Sequence, residues 1–214
     1  MSGKRKYDRR TLTAYHEAGH ALVAFDQGVR IYGVNVTPDR ERRGNIRIDT
    51  LHLNRLIPTF EHDKGARNRF IMERHVMVLL GGNAAVCRLD PSRKTNTRTV
   101  PGEGSDFLTA QRLVGYFTGS KIESEKYLDW LAVRVEGIIR TPWRWYQLKK
   151  VAQALLENEK LGPRKVREII KEAGQEWMEK QGNGESENRG IGDLIFPPLR
   201  RLPPSPFHGR LSDF

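Results

Sequence analysis

At 214 residues, 37% hydrophobic and 29% charged, the chain can bury one sizeable core, or one domain with an appendage, and its composition is that of a soluble globular protein with a polar excess. Its single cysteine, Cys87, excludes an internal disulfide framework and points to a reducing compartment. "MSGKRKYDRR" lacks a signal-peptide segment and no run approaches the roughly 18–20 apolar residues of a bilayer span, so no membrane span and a cytoplasmic location are expected. The net charge of +11 favours acidic partners in general. Its clusters ("KRKYDRR", "RERR", Arg200–Arg201) are short and far apart, which predicts a solvated basic surface and makes nucleic acid an unexpected partner.

In chain order, residues 8–27 predict a helix. Asp8 or Thr11 can cap it, Leu12, Tyr15, Gly19, Leu22 and Phe25 recur at helical spacing, and Gly28 closes it. "RIYGVNVTP" and "NIRIDTLHL" alternate apolar and polar residues around the polar turn "DRERRG", the pattern of a β-hairpin. Residues 63–88 predict a second helix ending in "VMVLLGGNAAV", where Gly81 and Gly82 call for close backbone packing or a kink. Residues 89–104 read as a polar loop. Ser105 is the expected cap of a helix starting at Asp106, with Leu108, Leu113, Val114 and Phe117 inward. Further helices are expected at 121–139, 143–158 and 163–178, the last with Pro163 in its first turn. The aromatic residues of "TPWRWYQL" are expected in the core. A domain spanning 1–180 is expected, followed at 181–214 by a linker and a tail holding five of the eleven prolines.

The chemistry lies in "LTAYHEAGHALVAF", residues 12–25. On a helix His16 and His20 share one face and can direct two ring nitrogens at one zinc ion. Glu17 points beside the pair, where it can reach a metal-bound water instead of the metal. Zinc brings such a water's pKa down from about 15.7 to around 7, and a carboxylate then takes its proton. Catalysis needs an open fourth position, hence three protein ligands. A glycine inside a helix costs about 1 kcal/mol relative to alanine, so Gly19 wants a packing reason. The third ligand is not local: His52, His62, His75, His208, Asp90, Glu103 and Asp106 are all candidates, and spacing does not choose among them.

"TAYHEAGHALV" resembles the zinc helix of the FtsH-type metalloproteases, which are ATP-dependent and usually membrane-anchored. The likeness continues in "VLLGGNAA", through Leu79, Leu80, Gly81, Gly82, Ala84 and Ala85, and in "GEGSDFLTA", with Gly102, Asp106 and Ala110 in register. "LKKVAQALLENEKLGPRKVREII" resembles the family's C-terminal helices, so the likeness covers residues 8–175. It implies that His16, His20 and Asp106 are the zinc ligands and Glu17 the catalytic base. There are departures. No G-x-x-x-x-G-K-[ST] phosphate loop occurs, and neither an ATPase domain nor a membrane anchor is expected upstream; Glu103 replaces an alanine, and Val86 stands where the family usually carries a glutamate.

The expectation is a mainly α (α+β) fold: a helical zinc metallopeptidase domain with a small β-hairpin or sheet beside the zinc helix. The expected activity is ATP-independent endopeptidase cleavage of flexible or unfolded polypeptides, with "NIRID" as an edge to which substrate adds as a strand. A homo-oligomer and a separate ATPase partner are the expected associations. The rival is a non-catalytic basic binding module for nucleic acid or protein, in which "QALLENEKLGPRKVREII" forms a helix-turn-helix.

Overall fold

The structure, a computed structural model, describes residues 6–37, 45–48, 66–92 and 104–183. The chain divides into two compact units, Met1–Met178 and Glu179–Phe214, and the description below concerns the first, with the end of the last helix.

Helix α1, Arg9–Asp26, begins where the Asp8 carboxylate accepts from the Thr11 amide at 2.8 Å. Gly28, at φ +62°, ends it just beyond the C-cap Gln27. Ala14, Ala18, Ala21, Leu22, Val23 and Ala24 are all fully buried, because α1 is covered by helices on more than one side. Strands β1, Ile31–Asn35, and β2, Asn45–Ile48, pair antiparallel as the hairpin pattern predicts; the turn between them lies outside the described residues. The register slips between Ile31 and Gly33, a bulge that lets Ile31 and Val34 both turn inward although three residues apart.

Helix α2, Ala66–Leu89, runs unbroken through Gly81 and Gly82. It packs against α1 and against the two helices that follow, and it buries Met72, Val76, Met77, Val78, Leu80, Ala85 and Val86. By length and composition Asn68–Leu89 could also cross a bilayer, a test that the core helix of a soluble fold passes too; 56% of that window is buried in the fold.

Helix α3 spans Gly104–Gly115, so Ser105 lies within the helix instead of capping it, and Asp106 sits in the first turn. A carboxylate there complements the exposed amide ends of the helix. Ala110, Leu113 and Val114 form its buried face, while Leu108, 57% exposed, falls outside it: two residues before Ala110 is about 200° round the helix. Helix α4, Lys121–Arg140, opens with a reciprocal cap, in which Ser120 Oγ accepts from the Glu123 amide and Glu123 accepts from the Gly119 amide. Helix α5, Pro142–Asn158, starts on its proline. Trp145 and Tyr146 are half-buried there, but Trp143 is 38% exposed with the Arg144 guanidinium over its ring, so the whole segment does not enter the core.

Between α5 and α6, Pro163–Asn183, lies β3, Lys160–Leu161, which no pattern in the sequence announced. It pairs with β1 through Leu161–Val34 and Lys160–Asn35, giving a three-stranded sheet in the order β2-β1-β3. The helix-turn-helix reading of this segment loses its simple turn: the connection is a strand of the sheet. The fold is thus mainly helical with a small antiparallel sheet packed beside α1.

Candidate metal centre

Three elements build the site. His16 and His20 stand one turn apart on α1, with ring centroids 4.6 Å apart and planes near perpendicular. Asp106 arrives from the first turn of α3, 90 residues away in sequence. The His16 and His20 Nε2 atoms are 3.0 Å apart, and Asp106 Oδ2 lies 3.2 Å from the first and 3.3 Å from the second. Among the described residues this is the one group of three or more His, Cys, Asp or Glu side chains able to hold a metal. The helix crossing permits it because Gly19 and Gly81 meet without side chains: a Cβ on Gly19 would lie 2.4 Å from the Gly81 carbonyl oxygen.

The donor set fits a small, borderline-soft divalent cation. His20 Nδ1 lies 2.6 Å from the Val78 carbonyl oxygen, which only accepts, so Nδ1 carries the hydrogen. Its Nε2 therefore offers either a lone pair or a second proton. In the neutral tautomer that lone pair, His16 Nε2 and the carboxylate oxygen crowd together in a buried pocket, and they need a positive charge between them. A tetrahedral zinc site with bonds of about 2.0–2.1 Å has ligand-to-ligand edges of roughly 3.3–3.4 Å, close to the distances found here. Two imidazoles and one carboxylate suit zinc better than calcium or magnesium, which prefer all-oxygen shells.

Electrostatics without metal point the same way. Burial opposes protonation of His20, but the hydrogen bond and charge of Asp106, with help from Glu17 and the Val78 carbonyl, push it up to about 9. Burial would raise Asp106, yet hydrogen bonds and charge from His16 and His20 hold it well below the usual carboxylate range. A proton shared in this way is the charge that a metal would replace. Glu17 is buried beside them; burial pushes its carboxyl up, and His20 and His16 pull it partly back. Its Oε2, like His16 Nδ1, is buried without a hydrogen-bond partner among the described residues.

Of the other candidate ligands, His75 is buried on α2 with Nδ1 donating to the Ile71 carbonyl, and Asp90 accepts from the Ser92 amide and hydroxyl at the end of that helix. Neither joins the cluster. His52, His62, Glu103 and His208 lie outside the described residues. Nothing in the residue types singles out the Val78 carbonyl, since any residue has one; the Gly81–Gly82 pair is the available signal for close approach. No family model matches the chain, and no curated protein matches it.

Proposed function

We propose that the chain is an ATP-independent zinc metalloendopeptidase, similar to the peptidase domain of FtsH-type metalloproteases, that hydrolyses peptide bonds in flexible or unfolded polypeptides. The observation that carries this reading is the convergence of His16, His20 and Asp106 beside a buried Glu17 oxygen that has no partner among the described residues. Zinc, when bound, supplies a Lewis acid that polarises a carbonyl and makes a water acidic near neutral pH. The chain's own residues supply the rest. His16 and His20 contribute two neutral nitrogens and Asp106 one negative charge, three ligands in all, so one position stays open for chemistry. Asp106 is the most open of the three, its side chain 32% exposed against 14% for His16 and 3% for His20, so water and substrate enter from its side. Glu17, lifted by burial and free of competing bonds at Oε2 among the described residues, takes the proton of the attacking water and returns it to the leaving amine.

Substrate binding is assigned to the outer side of β2, which the strand order leaves unpaired among the described residues. A peptide adding there as a fourth strand is held by its backbone, which suits a peptidase of broad sequence tolerance. Replacing Ile46 by proline should raise KM several-fold with little change in kcat, and an unchanged KM would remove β2 from substrate binding. The sequence carries no G-x-x-x-x-G-K-[ST] phosphate loop, so unfolding of substrates is left to their own flexibility or to a separate ATPase, and assembly as a homo-oligomer remains part of the proposal.

The test is cleavage of fluorescently labelled casein by the zinc-loaded protein without nucleotide, against Glu17→Gln. The variant should keep its zinc and lose about 10²–10⁴ of the rate. Equal rates would take the base away from Glu17. Absence of cleavage by both would favour a non-catalytic binding module built on the same site.

A further inference from the structure

Gly81 and Gly82 are adjacent in α2, yet their surroundings differ. A Cβ on Gly81 would meet the Gly19 carbonyl oxygen at 2.8 Å and Val23 Cγ2 at 2.9 Å, which are atoms of the α1–α2 crossing. A Cβ on Gly82 would meet His20 Nε2 at 2.5 Å, His16 Cε1 at 2.6 Å and His16 Nδ1 at 2.7 Å. All three nearest atoms belong to the ligand rings, and none to the backbone or packing side chains of α1. The two glycines therefore have separate work: Gly81 brings the helices together, and Gly82 is the floor on which the histidine rings rest.

From this we infer that Gly82 is a positioning residue for the metal centre, its missing side chain setting where both imidazoles stand. His20 has little freedom to retreat. Its Nδ1 is bonded to the Val78 carbonyl, and in an α-helix that carbonyl is the one addressed by the amide of residue 82. One turn of α2 thus fixes His20 at both ring nitrogens: Val78 holds Nδ1 from one side and Gly82 leaves the space that Nε2 occupies. A methyl group at 82 would have to displace ring atoms that lie less than 3 Å away, and a displaced ring no longer meets Asp106 and its neighbour at the present 3.0–3.3 Å. The inference rests on the metal reading of the site but not on its peptidase activity.

The test reads metal and stability, not turnover. In zinc competition against a chromophoric chelator, Gly82→Ala should bind zinc about 10–100-fold more weakly than the parent, the range seen when the support of a metal ligand is removed. Gly137→Ala, where an added Cβ meets nothing within 4 Å, should bind as the parent does. Thermal unfolding of the metal-free proteins forms the second arm. Any loss of Tm caused by Gly82→Ala should vanish when His16 and His20 are both alanine, because the obstructing rings are gone. The loss caused by Gly81→Ala should persist in that background. Should Gly82→Ala fail to fold alone, its recovery in the double-alanine background gives the same answer. Equal zinc affinity for Gly82→Ala and the parent, or a Tm loss unchanged by removing the rings, would overturn the inference. A parent that binds no zinc while the Tm loss vanishes would instead sink the metal reading and leave the ring-positioning role standing.

Discussion

His20 is held by the protein at one nitrogen and left for a cation at the other. Without metal that cation is a proton: against burial, Asp106 and its neighbours lift His20 from 6.5 to about 9. A folded-state value raised in this way stabilises the metal-free protein fully below pH 6.5, and the benefit is lost as pH rises through about 9. For zinc the sign is opposite. The metal must displace that proton, so apparent affinity should rise about tenfold per pH unit from 6.5 towards 9 and level off above it. Chelator competition at pH 6.5, 7.5 and 8.5 checks this, and a flat profile would mean that His20 holds no proton in competition with metal. His16 shows a different economy. Its Nδ1 is buried without a partner among the described residues. Val86, which follows Gly82 by four residues on the same face of α2, is buried and its side chain offers no acceptor.

Among the elements, the crossing of α1 and α2 decides whether the site exists, since it brings Gly82 under the two histidines. Gly19→Ala would place a methyl carbon 2.4 Å from a backbone oxygen that cannot rotate away. A cost of about 3 kcal/mol or more is expected in denaturant unfolding of the metal-free protein, the upper range for overpacking. A change below about 0.5 kcal/mol would show that the helices part easily. The helices themselves were legible because their signals are local. Asp8 and Ser120 cap as expected of their types, prolines open α5 and α6, and Gly28 closes α1 with positive φ. What the sequence hid depends on distant partners. Two residues, Lys160–Leu161, become a strand only because β1 offers them hydrogen bonds. The exposure of Leu108 and Trp143 follows from which helices lie beside them, not from their own hydropathy. Asp106 could be proposed as a ligand from resemblance, but its meeting with α1 is a tertiary event across 90 residues.

For the molecule as a whole, the sequence and the fold speak to different questions. The spacing of His16, Glu17 and His20 leads to the expectation of a metal-dependent hydrolase, and the fold brings Asp106 and the buried Glu17 carboxyl beside the two histidines. Some of the basic residues serve the fold itself: Arg144 pairs with Asp26 between α5 and α1, and Arg88 stacks on Trp145 while donating to the Ile139 carbonyl. The proposed chemistry requires one bound ion per chain. The measurement is therefore zinc stoichiometry and affinity by equilibrium dialysis at pH 7.5, for the parent and for Asp106→Ala. One tightly bound zinc per parent chain is expected, with at least a hundredfold weaker binding for the variant, because a site built on three ligands keeps only two. No zinc on the parent, or equal binding by the variant, would contradict it.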